Sequence, residues 1–174
     1  MLQNFEADTP NGANYVPLSP VAHLNRAAKV HSSRPAVVYG ESRYDYATFA
    51  DRVRRIAGGL IAHGITKGDT VSVIAPNIPE LFELHFAVPM TGAVLNTINT
   101  RLEAETIAYI FDHADTKLVI ADSVLLPLVS EAFDMRGKAL PCILIRDKQG
   151  PNLSLIHISE PTRLDARSRM PSSA

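Results

Sequence analysis

Between Val71 and Arg101 the chain reads VSVIAPNIPELFELHFAVPMTGAVLNTINTR, and the spacing of its apolar residues changes character three times. Val71–Ala75 is rich in β-branched residues and apolar at all but Ser72, which predicts a strand. Pro76-Asn77 breaks it. From Ile78 to about Met90 the length and spacing predict an apolar helix, and Ala93–Thr97 predicts a second strand. Strand, short turn, helix and strand make a βαβ unit, the repeating element of a parallel sheet. The same alternation continues, with strands predicted at Lys117–Ala121 and Ala139–Arg146 and helices at Glu103–His113 and Val124–Phe133. All four strands are apolar at nearly every position rather than at alternate ones, the pattern of strands covered on both faces. Right-handed crossovers then place helices on both sides of a doubly wound sheet.

Upstream the pattern differs. Ser19 can cap a helix with Pro20 at its first position, and Val21, Leu24, Ala27, Ala28 and Val30 form its apolar face. A hairpin follows: Ala36–Tyr39, a turn at Gly40-Glu41-Ser42, then Arg43–Tyr46 with alternating polarity. Ala47–His63 is a strong helix, with Phe49, Val53, Ile56, Leu60 and Ile61 at three- and four-residue steps and Gly64 where a left-handed cap belongs. The expected fold class is therefore α/β: a partial doubly wound, mostly parallel sheet with a small N-terminal β-hairpin. We divide the chain into an extended segment at 1–18, a subdomain at 19–152 and a tail at 153–174.

Composition narrows the function classes. The chain has 174 residues, enough for one domain with a core, and is 46% hydrophobic and 20% charged. Its net charge is −1, and removing the tail, with three Arg and two acidic residues, makes it −2. With no basic excess to neutralise phosphates, nucleic acid is not an expected partner. Cys142, the single cysteine, lies in the apolar run PCILI, where a small buried side chain is expected. One cysteine forms no internal disulfide, which fits a reducing compartment. The first twenty residues lack a basic start and an apolar core region, so no signal peptide is read. No run approaches the roughly 20 apolar residues of a membrane span. The expected location is cytoplasmic.

Candidate chemistry is sparse. A nucleotide-binding α/β protein commonly carries a glycine-rich turn between strand and helix, because bare N–H groups must approach the phosphates. Here that turn is Ala75-Pro76-Asn77-Ile78-Pro79, without glycine and with two donors removed by proline. Neither G-x-G-x-x-G nor G-x-x-x-x-G-K-[ST] occurs. Asn77 is expected to be the helix N-cap rather than a ligand contact. His85, on an apolar helix, is expected to be a core histidine with its ring N–H satisfied; the alternative is a general base. His63 and His113 fall in last helical turns, where an imidazolium suits the dipole. His23, His31 and His63 share no metal-ligand spacing. Arg101 could meet a phosphate or carboxylate, though a surface pair with Glu103 or Glu105 is the plainer reading. Arg52, Arg54 and Arg55 read as the solvated face of their helix once Val53 and Ile56 are placed inside. Tyr44 and Tyr46 are expected to anchor the hairpin by packing.

Several segments in order, NYVPLSPVAHL, AVVYG…YDYATFADRVRRIAGGL, GITKGDTVSVIAPNIPE, ELHFAVPMTGAVLNTINTRL and TIAYIFDHADTKLVIAD, resemble the N-terminal region of the adenylate-forming superfamily, specifically acyl-CoA synthetases. The resemblance covers Asn14 to about Asp122 and, more loosely, Ile145. It looks nearest the branch acting on short- or medium-chain and aryl acids. It implies the family reaction: ATP and a carboxylic acid give an acyl-adenylate and pyrophosphate, and coenzyme A displaces AMP. ATP, Mg²⁺ and CoA would serve the full-length enzyme, with a small carboxylic acid as partner. The family's lysine-bearing phosphate loop, adenine segment, ribose-binding aspartate and C-terminal lysine match nothing here. No catalytic, cofactor-binding or metal-ligating residue is assigned, and the fragment itself is expected to be inactive. The alternatives are a non-catalytic α/β binding module and a dehydrogenase-like nucleotide-binding domain.

The tail carries a different signal. LSLIHISEPTR (Leu153–Arg163) back-translates in frame to a sequence resembling a transposase-type sequencing adapter, and SRMPSSA (Ser168–Ala174) to the outer adapter. A natural polar tail is the other reading. On the adapter reading, native sequence ends near Asn152 and the tail is expected to be disordered.

Overall fold

A computed structural model describes residues 18–145 and the backbone of His157–Ser159. The chain forms α1 (Pro20–Val30), the hairpin β1 (Pro35–Tyr39) and β2 (Ser42–Asp45), and α2 (Tyr46–Ala62). It continues with β3 (Thr70–Ile74), α3 (Pro79–Met90), β4 (Val94–Thr97), α4 (Ala104–His113), β5 (Thr116–Asp122), α5 (Leu126–Arg136), β6 (Cys142–Ile145) and β7 (His157–Ser159). The sheet order is β4-β3-β5-β6-β7, parallel throughout except for antiparallel β7.

The expected architecture is present. Alternate residues of the strands feed opposite faces. Val71 and Val73 join Leu60 of α2 and Leu84 and Val88 of α3 on one side. Ile74, Val119 and Ala121 join Ile107 and Phe111 of α4 and Val129 of α5 on the other. A third cluster packs α1 and the hairpin against α2 and α3 through Leu24, Val37, Phe49 and Ala87. Helix α3 thus buries two sides at once, which is why its sequence shows no single apolar stripe.

Ends of elements follow local chemistry. Ser19 accepts from the Ala22 N–H at 3.2 Å, as expected. Gly64, at φ +80°, ends α2 in the left-handed region, where a side chain would strain the backbone. Asp45 closes the hairpin and caps α2 by accepting from Thr48 N–H at 2.8 Å; that bond holds its carboxyl below the ordinary value.

Asn77 does not cap α3. It is exposed, and the cap position falls to Ile78, which makes no side-chain cap bond. The reason is local: Ile78 N–H turns back to the Pro76 carbonyl at 2.8 Å, and Pro79 presets the first helical φ. The last helix is also shifted. Asp122 accepts from Val124 N–H at 2.8 Å and holds a short 3₁₀ turn (Ser123–Leu125), so α5 starts at Leu126; it ends at Arg136, capped by Gly137 at φ +66°. Strand β6 is shorter than predicted because Pro141, which has no N–H, stands just before it.

Strand β7 belongs to the segment expected as tail. Its three residues pair with Cys142–Leu144, supplying backbone partners to an otherwise open edge. The remainder of that segment, the segment 1–17 and Arg146 lie outside the described residues. Among the described residues, no helix is long and apolar enough to cross a membrane.

Candidate functional site

Two places merit chemical scrutiny. The first follows from topology. From β3 the chain passes through α3 to β4 on one side, whereas β5 lies on the other side of β3, reached through α4 across the opposite face. The connections diverge at the carboxyl ends of β3 and β5, where open α/β sheets form their ligand crevice. In this chain the β3 turn is the proline-interrupted segment after Ala75, and the buried Asp122 at the end of β5 is engaged as a cap. Lower in the sheet, Asn96 Nδ2 donates to Ser72 Oγ at 2.9 Å, and Ser72 Oγ lies 2.8 Å from Thr116 Oγ1. These bonds tie β4, β3 and β5 together.

The second place lies between α2, α3 and the hairpin. Glu83 has 0% exposure, yet it is a carboxylate on an apolar helix. Arg52 of α2 approaches it with both Nε and Nη2, the Nη2–Oε2 distance being 3.2 Å, and Tyr44 Oη donates to Oε1 at 2.8 Å. The Arg52 guanidinium also stands 5.3 Å from the centre of the Tyr44 ring. Burial, reinforced by the Glu83 charge, pushes the Tyr44 hydroxyl well above its ordinary range, so it remains a donor. Burial opposes the charge on Arg52, but the Glu83 hydrogen bonds and charge outweigh it and hold the pKa above its ordinary value. Every group in this cluster is satisfied. It is built to lock three elements together rather than to exchange protons with a ligand.

Beside the cluster, Phe49 stacks on Phe82 at 4.9 Å between ring centres and meets Phe86 edge-on at 5.3 Å. Phe82 and Phe86 form part of the wall of an apolar groove of about 660 Å³ between β1 and the start of α3, lined also by Val37, Val38, Ile78 and His85 among others.

The structure corrects several sequence expectations. His85 is not a core residue: it is exposed at the groove, and its Nδ1 donates to the Leu81 carbonyl at 2.8 Å. Its position on α3 is one that neither apolar layer covers. Arg52 is not part of a solvated face, because its guanidinium neutralises Glu83; Arg54 and Arg55 are exposed, with Arg55 paired to Asp51. Tyr44 packs at the hairpin but also donates to Glu83, while Tyr46 opens α2 instead of ending a strand. Arg101 is exposed and forms no ion pair with Glu103 or Glu105; its backbone N–H is held by Asn99 Oδ1 at 3.0 Å.

His113 stacks on Tyr109 at 5.5 Å, and His63 is the C-cap residue of α2. Among the described residues no three His, Cys, Asp or Glu side chains group as a metal site. Burial pushes the Cys142 thiol up to about 11. Sequence reasoning missed Glu83. The available signal was an acid flanked by Leu81, Phe82, Leu84 and Phe86, apolar neighbours that demand a partner for it.

A two-faced parallel sheet with a switch point and a hairpin-bearing N-terminal layer defines a class of α/β domain. Comparison makes the assignment specific. The chain belongs to the AMP-binding enzyme family, whose model matches residues 24–171. It is 47% identical over 119 residues to a peroxisomal butyrate–CoA ligase (AAE11) of Arabidopsis thaliana, covering 68% of this chain and 21% of the relative. To a peroxisomal benzoate–CoA ligase of the same plant it is 43% identical, covering 80% and 25% respectively. The fold matches the crystal structure of a protein described as a putative long-chain-fatty-acid CoA ligase from Rhodopseudomonas palustris, with a TM-score of 0.66 and 28% identity over 75% of this chain and 33% of that one. The chain therefore spans a fifth to a quarter of the length of these two plant relatives.

Proposed function

We propose that the chain is the scaffold portion of an ATP-dependent acyl-CoA ligase acting on a small carboxylic acid. The reaction joins carboxylate, ATP and coenzyme A into acyl-CoA, AMP and pyrophosphate. Adenylation converts a poor leaving oxygen into a good one, with Mg²⁺ and cationic groups offsetting phosphate charge. The observation that carries the reading is identity of 43–47% to ligases named for butyrate and benzoate. Short-chain and aryl acids are accordingly the substrates to try first.

On this proposal the described residues build and brace one wall of the enzyme and perform no chemical step. Proline occupies the β3 turn where a phosphate cradle would need N–H donors, and the buried Glu83–Arg52–Tyr44 cluster is internally satisfied. We extend the proposal to a cytoplasmic location, on the support of a single buried thiol.

The test is direct. The purified 174-residue chain, given ATP, Mg²⁺, CoA and butyrate or benzoate, should release no more pyrophosphate than a protein-free control. Release above the control overturns the scaffold assignment. Reading the source locus onward from the Asn152 codon examines the same proposal. Continuation into a lysine-bearing, glycine-rich loop supports it, and a stop codon there opposes it.

A further inference from the structure

Helix α3 presents an aromatic face to the groove beside β1. Phe82 is stacked on Phe49 with ring centres 4.9 Å apart and planes 11° from parallel, and Phe86 meets it edge-on at 5.4 Å. Phe49 is buried and does not line the groove, whereas Phe82 does and is 44% exposed. The face of Phe82 turned away from Phe49 is therefore available to a further ring in an offset stack. His85, three residues on, shares that side of the helix and also lines the groove. Its Nδ1 donates to the Leu81 carbonyl at 2.8 Å. A neutral imidazole with its proton on Nδ1 has Nε2 as an acceptor.

Size and charge narrow what fits. At about 660 Å³ the groove falls within the range of roughly 300–1,000 Å³ common to small-molecule sites. Its lining is apolar apart from Tyr39, Asn77 and neutral His85, and includes no acidic residue, lysine or arginine. A carboxylate or phosphate would lose water here with no cation to offset its charge. A neutral ring keeps the stack, and a hydroxyl on that ring can donate to Nε2. An apolar wall with a few placed polar groups is what orients a small ligand.

We propose that this groove binds a neutral hydroxylated aromatic of the phenol class, its ring stacked on Phe82 and its hydroxyl hydrogen-bonded to His85 Nε2. The site is separate from the ligase reading, whose substrate is a carboxylic acid, and it stands whether or not that reading does.

The experiment titrates the full chain with 4-ethylphenol and follows the Phe82 and His85 ring signals by NMR. Their shifts should saturate together, while those of Tyr109 and His113 on α4 stay fixed. 4-Ethylanisole, which keeps the ring but lacks the O–H, should bind about threefold to tenfold more weakly. 4-Ethylbenzoate, the charged analogue, should be weaker than 4-ethylphenol as well. His85→Ala, a substitution at an exposed position, should abolish the preference for 4-ethylphenol over 4-ethylanisole. Phe82→Leu, which keeps an apolar side chain but no ring, should weaken both ligands several-fold. Shifts that do not saturate, equal binding of phenol and anisole by the wild type, or a preference that survives His85→Ala overturns the proposal. So does 4-ethylbenzoate binding as tightly as 4-ethylphenol, because the groove would then select for charge. Ring shifts that change with protein concentration in the absence of ligand also overturn it, because a second copy would then be the occupant.

Discussion

Two ion pairs, one on each side of the sheet, look alike on paper and differ in what they do. Arg52 joins α2 to α3 through Glu83, and Arg136 joins α5 to α4 through Asp112. Both arginines are mostly covered, with side-chain exposures of 17% and 11%. The acids differ: Glu83 is at 0% and Asp112 at 61%. Water still solvates Asp112 if its partner leaves, whereas Glu83 would be stranded. The first layer therefore depends on a closed polar cluster, and the second on apolar packing with an ion pair at its rim. A buried acid makes its partners obligatory even where it adds little net stability.

The comparison can be broken most forcefully at its apolar baseline. Phe49→Ala and Phe111→Ala remove rings with 1% and 0% exposure from opposite layers, and each should cost roughly 3–5 kcal/mol in a urea titration. A large inequality would show that the layers are not equally packed. Arg52→Ala comes next: leaving Glu83 uncompensated should cost about 3 kcal/mol, against less than about 1 kcal/mol for Arg136→Ala. Equal losses would erase the distinction drawn between the two pairs. Tyr44→Phe deletes one donor to Glu83 while keeping the ring over Arg52, and should cost about 1–2 kcal/mol by the same titration.

The smallest effect concerns the thiol. Cys142 is raised from 9.0 to about 11 by burial, so its folded form holds the proton longer than the unfolded chain does. Its contribution to stability is intact below pH 9 and falls as pH rises from 9 to about 11. Iodoacetamide should accordingly alkylate native protein at pH 9 more slowly than urea-unfolded protein, and equal rates would contradict the burial.

The regular part of the fold was legible because its signals are local and repeated. Strands β3 to β6 announced themselves by short runs rich in Val, Ile and Leu, and α1, α2 and Gly64 by caps and periodicity. The errors fell where a residue's role depends on what packs opposite. Asn77 was assigned a cap that a proline turn made unnecessary. His85 was placed in the core because its neighbours in sequence are apolar, but the two layers on α3 leave its side uncovered. Arg52 was assigned to solvent because its helix has a polar face, and nothing near it in sequence discloses Glu83, 31 residues away. The segment similarity carried the family because it is spread over several stretches in order.

The amino-acid sequence thus determined the element types, the two-sided parallel sheet and family membership, since backbone preference and burial period act over a few residues at a time. Tertiary structure alone decided which charges are buried, which helix sides meet, and where a groove opens between β1 and α3. Those depend on desolvation and contact between residues that the chain brings together only when it folds.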